Sequence, residues 1–269
     1  MPEPRLSDDL VDRVLARLGI DRVDRSADGL ARLYRAWCHA VPWDNVQKRI
    51  AVARGDARLP GGEPAELFEN LLAHGTGGTC WPSAGALHAL LRAVGFDARR
   101  GVGTMMYDRI GSKVPNHATT IVRQDGEEWL VDSSILNEVP VPLRRERTLV
   151  PHPMHPTSAA PHADGLWLVE WQAHNRDERV TCLVWDDDAT HERYLEGYEA
   201  SRVRGFSYKL TFRRGYPGGF LTIVGVRVWK DRTGALTVTE VDDRVRALVD
   251  AGVSEDAARR LPPDEEPAG

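Results

Sequence analysis

The strongest constraint on the fold of this chain is the change of pattern at Cys80. The preceding stretch, Gly75-Thr76-Gly77-Gly78-Thr79, can only be a loop that other backbone approaches closely. Directly after the cysteine, Ala84, Leu87, Leu90, Leu91 and Val94 recur at three- and four-residue steps, so a helix begins there. Pro82 suits its first turn, and Gly95 suits its end. A thiol at or just before a helix N-terminus faces unpaired N–H groups and the positive end of the macrodipole. Both favour a thiolate and can stabilise an oxyanion.

A thiol nucleophile needs a base, and the base needs an acceptor that orients it. Ala118-Thr119-Thr120-Ile121-Val122-Arg123 is β-prone, Gln124-Asp125-Gly126-Glu127 is a hairpin turn, and Glu128-Trp129-Leu130-Val131-Asp132 returns. His117 opens the first strand and Asp132 closes the second, so antiparallel pairing sets them at one end of the ladder. Taken singly, Cys80 reads as a small buried hydrophobe, His117 as a loop histidine and Asp132 as a strand-end residue. Taken together they read as a nucleophilic triad, provided the fold joins the helix start to that hairpin end.

The chain resembles the arylamine N-acetyltransferases. Gly77-Gly78-Thr79-Cys80 matches that family's glycine-glycine-x-cysteine loop, and Ala40-Val41-Pro42-Trp43-Asp44-Asn45-Val46 is similar to its valine-proline-phenylalanine-glutamate-asparagine-leucine segment. The run Leu90 to Arg99, the histidine before a strand and the aspartate after a tryptophan-leucine-valine strand also match, covering about residues 15 to 140. The resemblance implies a cysteine-dependent acyltransferase with Cys80, His117 and Asp132 catalytic. Trp43 and Trp81, with Ser133, Ser134 and Ile135, would then stand at the substrate pocket. It implies no permanently bound cofactor. The co-substrate is an acyl thioester, either acetyl-coenzyme A or a carrier-protein thioester, and the acceptor is a small-molecule amine.

Several positions depart from the family pattern. Thr76 stands where the family has an arginine, and Pro82-Ser83-Ala84 follows Trp81 in place of its polar residue and asparagine. Ser133-Ser134-Ile135-Leu136-Asn137 replaces the valine-glycine-phenylalanine-glycine loop associated with coenzyme A and acceptor. A loop without glycine keeps backbone from closing on a phosphate-bearing ligand, so donor and acceptor are open. One alternative is an amide synthase that cyclises and releases a carrier-bound acyl chain, with an acyl carrier protein as partner. Others are a transglutaminase- or hydrolase-like enzyme and an inactive scaffold that kept the fold.

The expected fold class is α+β: an N-terminal helical bundle, a central antiparallel β-barrel-like domain and a C-terminal α/β lid around a cysteine-protease/transglutaminase-like core. The expected divisions are residues 1–97 carrying the nucleophile, 98–190 carrying histidine and aspartate, and 191–269 as the lid. Ser7 and Ser26 cap helices, Pro64 opens another, 145–165 is a Pro- and His-rich loop, and 191–200 is helical. Strands run from Phe220 to Trp229 and from Ala235 to Val241, two short helices follow, and the acidic tail from Pro262 is disordered. A net charge of −5 gives no case for nucleic acid. No run suits a signal region or a membrane span. Three separated cysteines, Cys38, Cys80 and Cys182, point to reduced thiols and a cytoplasmic setting. His152, His155 and His162 sit among prolines without fixed ligand geometry, and Asp186-Asp187-Asp188 reads as a solvated turn, so no metal is expected.

Overall fold

The computed structural model describes residues 3–152, 156–172, 179–232 and 234–265. Helix α1 (Asp8–Leu18) starts where Ser7 Oγ accepts from the Leu10 N–H and stops at Gly19, whose φ is +70°. Helix α2 (Ala27–Ala40) is capped in the same way by Ser26 and ends before Pro42. A two-residue strand, β1 (Trp43–Asp44), leads into α3 (Val46–Arg54), and α4 (Pro64–His74) carries its proline in the first turn. Helix α5 (Cys80–Ala93) is buried all round from Trp81 to Leu91, as befits a helix with apolar or small residues on every face.

Strands β2 (Asp97–Met105), β3 (His117–Gln124), β4 (Glu127–Val131) and β5 (Val141–Leu143) form one side of a large sheet, with a short helix, α6 (Tyr107–Ile110), between β2 and β3. Strands β6 (Thr148–Val150), β7 (Thr157–Pro161), β8 (Trp167–Gln172) and β9 (Arg179–Asp186) complete it. All its pairings are antiparallel, in the order β5-β4-β3-β2-β9-β8-β7-β6. Strand β5 lies against β6 and β7, so the sheet curls into a nearly closed barrel. Ile121, Leu130, Val169 and Val184 fill its interior.

After α7 (His191–Ala200), strands β10 (Thr211–Tyr216), β11 (Gly219–Val224), β12 (Arg227–Arg232) and β13 (Ala235–Glu240) form a second antiparallel sheet edged by β1. Helices α8 (Arg244–Asp250) and α9 (Glu255–Arg260) share a core with this sheet and α3, through Phe212, Ile223, Leu248 and Ile50. Helix α5 packs on β2, β3, α4 and α7, which makes it the pivot of the molecule. The expectation of a mixed chain around an antiparallel, barrel-like sheet therefore holds.

Three local expectations are corrected, and two elements were not expected at all. Residues 145–165 are not one loop: among the described residues β6 and β7 pair there, with Leu149 opposite Ser158. Phe220 to Trp229 is not one strand. It folds back at Gly225 (φ +60°), so that Val224 pairs with Arg227. Strand β10 went unseen because Arg213-Arg214-Gly215 breaks the alternation. Helix α3 went unseen because Lys48 and Arg49 are among its buried residues, which hides the apolar period. The described part of the tail, 262–265, is held in place: buried Arg49 donates to Asp264 at 2.6 Å and to the Pro263 carbonyl at 2.6 Å.

Candidate active site

The loop before α5 is stapled to β1. Trp43 and Gly78 form a parallel bridge, the Asp44 N–H donates to the Gly78 carbonyl at 3.2 Å, and the Gly77 N–H donates to Asp44 Oδ2 at 2.6 Å. Approach at Gly77 is so close that a Cβ there would meet the Pro42 carbonyl oxygen at 1.9 Å. Ser83 Oγ, one turn into α5, donates to the Gly78 carbonyl at 2.8 Å. Cys80 thus opens α5 in a fixed position, half-buried, with its sulfur 4.0 Å from the Asn116 carbonyl oxygen. Asn116 is itself held by its side chain, which accepts from the Met105 N–H at 2.6 Å.

That contact brings the helix start to the hairpin end. Thr120 pairs with Val131, so Asp132 falls one step beyond β4, near His117. The two side chains are buried, and His117 Nε2 lies 2.7 Å from Asp132 Oδ2. Asp132 Oδ1 accepts from the backbone N–H groups of Ser134 at 2.8 Å and Ile135 at 3.2 Å. The Tyr34 hydroxyl, 2.7 Å from the Asp132 carbonyl and 2.8 Å from Asn137 Oδ1, anchors the loop from α2.

Burial alone would lower His117, but the charge and hydrogen bond of Asp132, with smaller contributions from Cys80, raise it to about 10. Burial likewise opposes ionisation of Asp132, and His117 overcomes it, holding the carboxyl below its ordinary value. The pair is therefore an imidazolium and a carboxylate at neutral pH. With Nε2 committed to Asp132, Nδ1 is the ring nitrogen that the carboxylate leaves free, and Cys80 is among the groups that raise the ring. A thiol, an imidazole and a carboxylate joined in that sequence can carry nucleophilic acyl chemistry.

The other expected site residues have differing surroundings. Trp81 is buried edge-to-face against Tyr194, with ring centroids 5.4 Å apart, and presses on Gly197. Trp43 meets Phe206 edge-to-face at 4.8 Å and lies under the Arg213 guanidinium at 5.0 Å. Arg213 also donates to the Ser134 carbonyl. Ser133 and Ser134 are buried, and their hydroxyls have no partner among the described residues. Ile135 packs into the barrel interior. Cys38 and Cys182 are free and buried, and desolvation raises both thiols. Among the histidines considered for metal, His162 meets the Tyr107 ring edge-on, and His155 lies outside the described residues. No group of three or more metal-ligating side chains occurs among the described residues. No helix there is long and apolar enough to cross a membrane.

Sequence reasoning gave no role to Asp44, Tyr34, Lys48 or Arg213. Their partners lie far along the chain, 33 residues away for Asp44 and 98 for Tyr34, and nothing local announces such pairs.

A family model described as N-acetyltransferase matches residues 26–225. The chain belongs to the arylamine N-acetyltransferase family. One relative is the arylamine N-acetyltransferase / N-hydroxyarylamine O-acetyltransferase of Salmonella typhimurium, 23% identical over 160 residues, which are 59% of this chain and 55% of that one. The solved structure of an arylamine N-acetyltransferase from Salmonella typhimurium has a TM-score of 0.78 at 19% identity, covering 96% of this chain and 98% of that one. A second relative is the proansamycin X synthase of Amycolatopsis mediterranei, 27% identical over 125 residues, 45% of this chain and 46% of that one. The chain thus spans about half the length of the curated relatives it matches. The arylamine N-acetyltransferase of Mycobacterium marinum, solved in complex with CoA, has a TM-score of 0.78 at 17% identity, covering 93% of this chain and 98% of that one.

Proposed function

We propose that this family member is a cysteine-dependent acyltransferase that moves an acyl group from a thioester to a small-molecule amine in two half-reactions. The observation that carries the reading is the buried 2.7 Å pair of His117 and Asp132, with the Cys80 thiol acting on the same ring at the start of α5. In the first half-reaction the Cys80 sulfur attacks the thioester carbonyl. An S–C bond forms, the donor's C–S bond breaks, and the departing thiol takes its proton from the His117 imidazolium. In the second, an amine nitrogen attacks the acyl-cysteine, His117 accepts the amine proton, and the cysteine sulfur leaves. Asp132 fixes the ring tautomer and balances its charge throughout. In this reading residues 1–97 bring the nucleophile, 98–190 bring base and carboxylate, and 191–269 act as a lid over the cleft. Trp43, Trp81 and Ser134 bound the substrate.

The donor is acetyl-coenzyme A or a longer, carrier-borne thioester. The glycine-free loop after Asp132 favours the second, as does the relative that is a proansamycin X synthase. That makes an amide synthase, with an acyl carrier protein as partner, the second reading. The test is to mix the protein with acetyl-coenzyme A and longer acyl thioesters, without acceptor, and weigh the Cys80 peptide by mass spectrometry. The expected result is an acyl increment on Cys80 from at least one donor, fastest for a longer chain, and none in Cys80→Ser. No increment from any donor overturns the reading.

A further inference from the structure

Helix α5 packs on β2 and α7, and the three carry a charged group that the acyl-transfer chemistry above does not use. Strand β2 brings Arg100, α5 brings His88 and α7 brings Tyr194. The Arg100 side chain is only 3% exposed, and its guanidinium carbon lies 5.5 Å from the centre of the Tyr194 ring. Its carbonyl accepts from the Ala189 N–H at 3.1 Å, which fixes the strand to the chain just before α7. A buried guanidinium requires a counter-charge. It comes from Glu3, a half-exposed residue whose Oε1 lies 2.6 Å from Arg100 Nη1.

Glu3 leaves this socket underfilled. It answers one nitrogen of a guanidinium whose planar fork suits two oxygens. Nε and Nη2 of Arg100 are buried and have no partner among the described residues. His88 has the opposite need. Burial, helped by the charge of Arg100, pushes its ring down to about 3, so the ring is neutral near pH 7 and carries one N–H. His88 Nε2 lies 3.1 Å from the Ala98 carbonyl, which can only accept, so the proton sits on Nε2. Nδ1 is then a bare lone pair. It is buried, has no hydrogen-bond partner among the described residues, and faces Glu3 Oε1 at 3.7 Å. An ionised carboxylate has no proton to give it. The socket thus asks for several anionic oxygens beside Arg100 and one O–H beside His88.

We infer that Arg100 and His88 form a binding site for a protonated phosphate group, inorganic phosphate or a phosphate monoester, which competes with Glu3 for the socket. Phosphate oxygens accept from Nη1, Nη2 and Nε of Arg100, and the phosphate O–H donates to His88 Nδ1. Glu3 belongs to residues 3–7, which form no helix or strand, so its carboxylate can withdraw as the ligand enters. Sulfate has the same shape and charge type but no proton near neutral pH. Its oxygen would face the His88 lone pair, and the site should reject it.

The site does not depend on the acyltransferase reading, and its test needs no acyl donor. Inorganic phosphate, methyl phosphate and sulfate are titrated into the protein by calorimetry at constant ionic strength and about pH 6, where a monoester still holds a proton. Inorganic phosphate should bind saturably, and sulfate at least about tenfold more weakly. Methyl phosphate binding beside it identifies a monoester as a fitting ligand, and exclusion of methyl phosphate identifies the free ion. Both support the site. Glu3→Ala removes the competitor and should bind phosphate about fivefold tighter or more. Arg100→Met should lose binding. Absence of saturable phosphate binding in both wild type and Glu3→Ala overturns the inference, and so does sulfate binding as tightly as phosphate. An unchanged phosphate affinity in Glu3→Ala, which a site elsewhere on the molecule gives, overturns it as well. None of these three outcomes requires the Arg100 variant to fold.

Discussion

Asp44 Oδ2 accepts a 2.6 Å hydrogen bond from the backbone N–H of Gly77, three residues before Cys80. The other oxygen, Oδ1, accepts from the Val46 N–H at 2.8 Å and so starts α3. One carboxylate thereby ties the nucleophile loop to the helix that carries Lys48. The tie is made in a buried place, 1% exposed, where a charged group is costly.

The cost appears as pH dependence. Burial raises Asp44 to about 6, although the N–H groups of Gly77 and Val46 pull it back toward its ordinary value of 3.8. The folded state therefore holds this proton more tightly than the unfolded state. Its stabilising contribution is fully present below about pH 4 and is lost as pH rises through about 6. Asp44→Asn removes that titration. The stability difference between wild type and Asp44→Asn should shift by about 2.4 kcal/mol against wild type between pH 4 and pH 7. Urea unfolding at a series of pH values measures it, and a difference that stays constant across the window refutes it.

The His117–Asp132 pair has the opposite character. His117 is raised to about 10, so its share of stability is present at and below neutrality and lost as pH rises through that value. Asp132 is lowered, so its share is present above the ordinary carboxylate range and lost in acid. Between those limits the pair is fully charged, and the His117 ring should show no titration from pH 6 to 8 by NMR. Asp132→Asn leaves burial as the dominant influence and the ring neutral. Acyl loading of Cys80 should then slow by about 10²–10⁴, since the amide also accommodates the wrong tautomer. A near wild-type rate makes Asp132 a strand-end residue and nothing more.

What was legible in the sequence was local. Ser7 and Ser26 announce their helices because a cap is made within three residues, and the Asp125-Gly126 turn announces the β3–β4 register because both residues take positive φ, +54° and +78°. The nearness of His117 and Asp132 followed from that register. Its meeting with Cys80 could only be supposed, because α5 and β3 are joined by tertiary packing. Strand β10 and helix α3 were hidden by charged residues that the fold buries or pairs: Arg49 with Asp264, and Arg213 with Ser134. Such residues look solvated until their distant partners are known.

The loop after Asp132 gives the last prediction. Leu136 has φ +55°, in the left-handed region, although its side chain is wholly buried in the core shared by α1, α2, α4 and α5. The backbone there keeps a shape that suits glycine, and the second glycine of the family's loop falls at this position. Leu136→Ala and Leu136→Gly both lose the buried side chain, at about 2–5 kcal/mol. Alanine must still bear the left-handed strain of about 1–2 kcal/mol, and glycine does not. Leu136→Gly should therefore be at least as stable as Leu136→Ala, the reverse of their order at ordinary helix or strand positions. Paired denaturant curves decide this, and a glycine variant clearly weaker than the alanine one refutes the strain argument. Combined with Ser134→Gly, the same change restores both glycines of the family loop. Loading of Cys80 by acetyl-coenzyme A should then gain on loading by longer thioesters, because backbone without side chains lets a phosphate-bearing donor approach.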